Sequence, residues 1–153
     1  MTSVVQTLWF ARDMPAAVQF YIATIPGSTM GPVVELPGND PPGAVVEFTL
    51  GGQSYRGMQA GQPEPFNQAF SITVECDDQA EIDRLWNALG DGGTTQHCGW
   101  LRDRWGLSWQ VVPAMLGPVL RGPDRARAAR VFQAMLGMAK FDIAALHRAA
   151  DGH

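Results

Sequence analysis

The chain has 153 residues, of which 46% are apolar and 17% are charged, and its net charge is −4. This length fits one compact domain or two half-domains packed together. Because the sequence has no basic block, nucleic-acid binding through phosphate neutralisation is not expected. No apolar run reaches the ~18 residues of a membrane span, and the N-terminus lacks the basic and apolar segments of a secretory signal. Two cysteines make a poor disulfide framework, so we expect a reduced, cytoplasmic setting.

The N-terminal part of the chain predicts one strand, one helix and three further strands. Val4 to Phe10 is β-branched and aromatic, which predicts the first strand. Asp13 is expected to cap a helix with apolar residues at helical spacing, and Gly27 is expected to end it. Gly51-Gly52 predicts a tight hairpin between the last two strands. The three later strands are predicted over residues 28–36, 44–50 and 53–60.

The same order of elements then repeats. A strand predicted over residues 69–75 is followed by a helix that Asp78 caps, and Glu81 completes a capping box. The offset between the two helix caps is 78 − 13 = 65 residues. Further strands are predicted over residues 94–98, 100–102 and 107–112. Because one such module cannot bury both faces of its sheet, two modules must pair.

Beyond Pro113 the chain has a helical character. Gly117-Pro118 and Gly122-Pro123 interrupt it, a helix follows that contains Val131, and Asp142 is expected to cap a last helix. The sequence therefore predicts a first module over residues 1–65, a second module over residues 66–113 and a helical extension over residues 114–153. The extension would cover a sheet edge or contact a second subunit through its apolar side chains, which are Phe132, Met135, Leu136, Met138 and Phe141.

One segment is distinctive, and it runs from Cys98-Gly99-Trp100-Leu101 to Ser108-Trp109-Gln110. It closely resembles the PhnB-like family, whose domain is often labelled 3-demethylubiquinone-9 3-methyltransferase, and the stretch from Ala134 to Ile143 resembles the same family. The resemblance implies a vicinal-oxygen-chelate fold of the glyoxalase and bleomycin-resistance type. This is an α+β structure of two paired βαβββ modules, here with a C-terminal helical tail, and family members are typically homodimers.

The methyltransferase label has no support in the sequence. A methyl donor bound in a Rossmann-like site needs a glycine-rich turn between a strand and a helix. Neither Gly51-Gly52 nor Gly92-Gly93 opens a helix after a strand. We therefore expect no methyl-donor site.

The resemblance also implies where a divalent metal would lie. Vicinal-oxygen-chelate enzymes hold one with four side chains from the first and last strands of their modules. Counted from each helix cap and hairpin, these positions are Gln6, Arg56 or Met58, Ser71 and Gln110. Neutral amides and a hydroxyl bind a divalent ion weakly, and an arginine repels it. The sequence therefore predicts neither a metal nor another cofactor.

The same positions predict a binding surface for a small molecule. Gln6, Ser71 and Gln110 are expected to converge on one concave sheet face. Either Arg56 or Met58 would lie beside them, since strand alternation gives both side chains the same face. Cys98 is either a nucleophile or a small buried strand residue. The complete set of candidate pocket residues is Gln6, Arg56, Met58, Ser71, Cys98, Trp100, Trp109 and Gln110.

Three functions follow from these features. The favoured one is a metal-free protein or enzyme that binds an unidentified small molecule. The alternative is a metal-dependent lyase or dioxygenase of the glyoxalase type, which the missing histidines and carboxylates disfavour. A dimer that acts through protein contacts alone is the third, and only the apolar tail supports it.

Overall fold

A computed structural model describes all 153 residues of the chain. The chain divides into two compact units, Met1–Pro65 and Phe66–His153. Both units contain a mixed sheet and at least one helix, so the α+β fold class predicted from the sequence is confirmed. No helix is both long enough and apolar enough to cross a bilayer.

The first unit begins with a strand and a helix and continues with four strands. These elements are β1 (Gln6–Phe10), α1 (Met14–Thr24), β2 (Thr29–Met30), β3 (Val34–Leu36), β4 (Gly43–Leu50) and β5 (Gln53–Gln59). The strand order is β1-β5-β4-β2, with β3 also paired to β4. Only the β1–β5 pair is parallel. The single strand expected over residues 28–36 is thus two short strands, β2 and β3, on the same edge of β4.

The second unit repeats this order and adds three helices. Its elements are β6 (Ser71–Cys76), α2 (Gln79–Gly90), β7 (Thr94–Thr95), β8 (Trp100–Arg102), β9 (Ser108–Pro113), α3 (Leu116–Arg121), α4 (Arg125–Leu136) and α5 (Ile143–Ala150). The strand order is β6-β9-β8-β7, and β6 runs parallel to β9. The sequence does not predict α3, because a Gly117-Pro118 pair is typical of a break between helices. Proline is tolerated in the first turn of a helix, where its missing N–H has no partner anyway.

In the first unit, α1 covers one face of the sheet. Leu8 and Phe10 of β1 are buried there, and the Phe10 ring lies 6.3 Å from the ring of Tyr21 on α1. A Cβ atom at Gly57 of β5 would lie 3.0 Å from Met14 of α1. Burying one large apolar side chain in this way stabilises the fold by roughly 1.5–3 kcal/mol. We call this side of each sheet the helix face and the opposite side the open face.

In the second unit, α2 covers the helix face. Its side chains Ile82, Leu85 and Leu89 are buried, and so are Trp109 and Val111 of β9 opposite them. Side chains on the other side of β9 are less buried, with the exception described below. Each unit therefore has its own core between one helix and one sheet.

Two of the three predicted helix caps are confirmed. The Asp78 carboxylate accepts a hydrogen bond from the Glu81 backbone at 2.9 Å, and Asp142 caps α5 in the same way. Asp13 does not cap α1, because its backbone is left-handed, with φ 55°. A capping side chain needs an extended backbone to reach the first N–H groups. Instead, the Gln59 side-chain oxygen accepts from the Met14 N–H at 2.8 Å.

The C-terminal segment completes the second unit rather than standing apart from it. The Cys98 and Gly99 N–H groups donate to the Met138 and Ala139 carbonyls, both at 2.8 Å. At the start of α2, the Gln79 amide donates to the Phe141 carbonyl and accepts from the backbone beyond it. Residues 114–153 thus belong to the same compact unit as residues 66–113.

Candidate binding site on the open sheet faces

The two units differ by one residue in the connection between the first strand and the helix. Residues 11–13 join β1 to α1, whereas only residues 77–78 join β6 to α2. The offset between the helices is 79 − 14 = 65, but the offset between the buried strand ends Phe10 and Cys76 is 76 − 10 = 66. Because strand side chains alternate between faces, one residue moves every side chain of the strand to the other face.

This difference separates Gln6 from its expected neighbours. Gln6 pairs in register with Tyr55, which is buried on the helix face, so Gln6 points to that side from the exposed start of β1. Arg56 pairs with Thr7 on the open face. The prediction that Gln6 and Arg56 share a face is therefore wrong. It relied on a constant offset of 65 residues, which does not hold for the strands.

On the open face of the first unit, Arg56 already has a partner. Its Nε lies 2.6 Å from an oxygen of Glu47, the residue opposite it on β4. The Arg56 side chain is 45% exposed, and an exposed pair of this kind contributes at most about 1 kcal/mol. Met58 lies one row further along on the same face, between Trp9 and Val45 in register. Both alternatives, Arg56 and Met58, thus occupy the open face.

On the open face of the second unit, three predicted residues meet. The Gln110 amide nitrogen donates to the Ser71 hydroxyl at 2.9 Å. Trp100 of β8 is the register partner of Gln110, and Thr73 of β6 flanks it on the other side. An amide, two hydroxyls and an indole therefore lie on adjacent strands of one sheet face.

Trp109 does not belong to this group. It is fully buried on the helix face, and its indole N–H donates to the Asp103 carboxylate at 2.9 Å. Asp103, which is 4% exposed, also accepts from the Trp105 and Leu107 backbone N–H groups at 2.9 and 3.1 Å. Asp103 is thus the centre of the β8–β9 hairpin, a role that its position in a polar turn did not reveal. The prediction of Trp109 as a pocket residue is wrong.

Two open-face residues were missed by the sequence analysis. Arg102 and Ser108 are register partners on β8 and β9, one row from Trp100 and Gln110. The Arg102 Nε and the Ser108 hydroxyl are buried and have no hydrogen-bond partner. Strand alternation could have found both, since each lies two residues from a residue already selected on the same strand.

The contacts and burial of the two cysteines indicate structural roles. Cys98 lies in a turn with φ 56° rather than on a strand, and its thiol donates to the Met135 carbonyl at 3.4 Å. Cys76 is buried on the helix face of β6, where burial and then the nearby Glu81 carboxylate raise its pKa to about 11. A thiol with this pKa is protonated at neutral pH and is a poor nucleophile. The Cys98 thiol fixes its turn against the C-terminal segment.

The donor chemistry does not fit a divalent metal. The open-face residues in the rows of Arg56 and Gln110 on the first and last strands are Thr7 and Arg56 in one unit and Thr73 and Gln110 in the other, none of which is a histidine or a carboxylate. Glu47 and Glu75 also lie on open faces, one in each unit, but no three His, Cys, Asp or Glu side chains gather anywhere in the chain. A methyl donor also finds no glycine-rich turn, because neither connection, 11–13 or 77–78, contains a glycine.

Two units of this topology, each with a parallel pair of first and last strands behind one helix, define the vicinal-oxygen-chelate class. The chain belongs to the family described as 3-demethylubiquinone-9 3-methyltransferase, whose sequence model matches residues 2–112. The predicted PhnB-like membership is therefore confirmed.

Solved structures agree with this assignment. The PhnB protein from Bacillus cereus is 25% identical, with a TM-score of 0.67 over 74% of this chain and 100% of that one. Protein PA1353 from Pseudomonas aeruginosa is 23% identical, with a TM-score of 0.63 over 74% and 98%. The fosfomycin resistance protein FosX from Mesorhizobium loti shares the fold at 16% identity, with a TM-score of 0.54 over 84% and 98%. No curated protein matches the chain.

Proposed function

We propose that this protein binds a small oxygen-bearing molecule on the open face of its second unit, without a metal. The observation that carries the proposal is the group formed by Trp100, Gln110 and Ser71. Ligand sites combine apolar or aromatic surface with a few placed hydrogen-bonding groups. The Trp100 indole supplies the former, and the Gln110–Ser71 pair supplies both a donor and an acceptor.

Polar open-face residues support a ligand more than they support stability. A buried polar group costs roughly 1–3 kcal/mol when it has no hydrogen-bond partner. The second unit nevertheless has two such atoms on this face. Natural proteins retain locally unfavourable groups of this kind chiefly at functional sites. A metal-dependent lyase or dioxygenase is not favoured by any contact of this chain.

A thermal-shift screen in the presence of EDTA tests the proposal, with neutral and anionic metabolites that carry oxygen. A saturable ligand at a hundredfold excess over its Kd should stabilise the protein by about 2.7 kcal/mol. Calorimetry should then show a Kd at least about tenfold higher in Gln110→Ala, the loss of one hydrogen bond in a buried site. Gln133→Ala, on the exposed surface of α4, is the matched control and should bind normally. The proposal would be refuted by ligands that need added metal. It would also be refuted by ligands that bind Gln110→Ala and Trp100→Ala as tightly as the wild-type chain.

We also propose that the protein is a homodimer in the cytoplasm. Phe132 and Leu136 lie one turn apart on α4, and they are 47% and 52% exposed. Such apolar pairs favour burial against another surface. Of the other tail residues expected at the interface, Phe141 is fully buried in the core of its own unit. Sedimentation equilibrium should show a dimer that Phe132→Ser weakens, and a monomer at tens of micromolar protein would contradict the proposal.

The cytoplasmic location is supported by the cysteines. Both cysteines are free thiols, which supports a reducing compartment.

A further inference from the structure

The open face of the second unit contains a buried serine hydroxyl and an arginine nitrogen that bond to nothing. Ser108 is 0% exposed, and its Oγ has no partner. Arg102 is its register partner on the neighbouring strand, and the Arg102 Nε is buried and equally unpaired. Directly opposed residues on adjacent strands have Cβ atoms about 4.5–5.5 Å apart, so both groups serve one small region of the face.

The chemistry of the two groups limits what could satisfy both. A guanidinium only donates hydrogen bonds, and a serine hydroxyl is free to donate one as well. A common partner must therefore be an acceptor, and an anionic oxygen is the strongest acceptor for a guanidinium. Because a carboxylate or phosphate has several oxygens, it can accept from the Arg102 edge and from Ser108 together.

No carboxylate of the sheet neutralises Arg102. The row that contains Arg102 and Ser108 is completed by two hydroxyl residues, Thr94 on β7 and Ser71 on β6. Glu75 lies on the same face but four residues along the strand from Ser71, roughly 13 Å away at the usual rise. The adjacent Asp103 directs its carboxylate to the helix face, where it holds Trp109. The positive charge of Arg102 is thus uncompensated within its own row.

We propose that Arg102 and Ser108 form an anion subsite, which takes a carboxylate or phosphate-like group of the ligand beside Trp100. This inference rests on the proposed function, because it places the charged end of a ligand that Gln110 and Ser71 also contact. Trp100 lies one row away and offers a flat apolar surface. The ligand class is therefore a small organic anion with an apolar part next to its charged group.

Benzoate and its neutral isostere benzamide test the subsite, with the wild-type chain, Arg102→Met, Ser108→Ala and the surface control Arg148→Met. Thermal midpoints and calorimetry are measured at matched ionic strength, in a buffer whose own ion is cationic. We expect benzoate to bind wild type at least about tenfold more tightly than benzamide, the usual worth of a charged hydrogen bond. Arg102→Met should abolish this preference, Ser108→Ala should reduce it, and Arg148→Met should leave it unchanged. Inorganic phosphate should compete with benzoate for the wild-type chain, because both anions would occupy the same subsite.

A second readout separates a ligand-binding arginine from a structural one. If the Arg102 nitrogen is satisfied only by a ligand, Arg102→Met removes an unpaired buried group. The anion-free variant should then be as stable as wild type or have a higher melting temperature. A lowered melting temperature together with an unchanged preference for benzoate overturns the subsite, and so does equal binding of the two compounds, including no binding of either. If a neutral ligand still loses affinity in Gln110→Ala under those outcomes, the proposed function stands and only the subsite falls.

Discussion

The two open faces have the same topology, but the arginine on one is paired with a carboxylate and the arginine on the other is not. In the first unit, Arg56 is exposed and lies 2.6 Å from Glu47 on the next strand. In the second unit, Gln110 takes the place of Arg56, and the residue opposite it is Trp100 instead of a glutamate. Arg102, one row away, has a buried nitrogen without a partner. A duplicated fold thus contains one face whose arginine is neutralised by the protein and one whose arginine has a buried nitrogen without a partner. The difference shows that the sites within a fold are determined by single side chains rather than by topology.

The largest effect is expected at the hairpin that presents Arg102 and Ser108. The equivalent hairpin of the first unit turns at Gly51 and Gly52, with the Gly51 N–H donating to the Ser28 hydroxyl, whereas the second relies on the Asp103 carboxylate. Hydrogen bonds to a charged group contribute about 1.5–3 kcal/mol each, although they are not additive. Asp103→Ala should therefore lower the free energy of unfolding by at least about 3 kcal/mol in urea denaturation.

The matched control is Asp91→Ala, because Asp91 pairs with Arg104 through a side chain that is 78% exposed. Its loss should be no more than about 1 kcal/mol. A similar small loss in Asp103→Ala would show that the second hairpin, like the first, does not depend on a carboxylate.

An intermediate effect on stability is expected when the pH is raised. It is expected at Cys76, whose structural counterpart in the first unit is Phe10, a side chain that does not titrate. Burial, with Glu81 second, raises the pKa of Cys76 from an ordinary 9.0 to about 11. The unfolded thiol therefore ionises first, so stability is full below pH 9 and is lost as pH rises from about 9 to about 11. Each pKa unit corresponds to about 1.4 kcal/mol, which limits this loss to roughly 3 kcal/mol.

Urea denaturation across this pH range measures the effect, and Cys76→Ala should flatten the decline whatever its stability at neutral pH. Burial also raises the pKa of Tyr55 in the first unit from 10.0, so a later decline should persist in the variant. If Cys76→Ala and wild type decline in parallel, the thiol does not titrate in this window.

The smallest effect on stability is expected from the substitution that makes the first open face resemble the second. Glu47→Gln removes the partner of Arg56, and because the pair is exposed the loss should be below about 1 kcal/mol. Its informative consequence is binding, since a free Arg56 should attract benzoate weakly in the calorimetric assay used for Arg102. If Glu47→Gln gains no affinity at all, burial of the arginine, and not only its missing partner, distinguishes the two faces.

Much of the architecture follows from local sequence. Gly51 and Gly52 have φ of 54° and 85°, as a two-residue hairpin requires, and glycine adopts such left-handed angles without steric cost. Asp78 and Asp142 cap their helices because the capping bond joins residues three apart and needs no distant partner. The element order and the distinctive segment near Trp100 were sufficient to predict the family. Asp13 fails as a cap because its backbone is left-handed, and Gln59, distant in sequence, supplies the bond to Met14 instead.

The site is what only the tertiary structure decided. Strand side chains alternate with a period of two, so the one-residue difference between the connections 11–13 and 77–78 moved Gln6 to the helix face while Ser71 stayed on the open face. Local sequence predicts that a residue lies on a strand, but the face depends on which side the helix packs. Trp109 and Gln110 are neighbours in sequence, yet Trp109 belongs to the core and Gln110 to the open face. The unpaired atoms of Arg102 and Ser108 become visible only when β8 and β9 are in register, because pairing between strands is a long-range choice that no single segment contains.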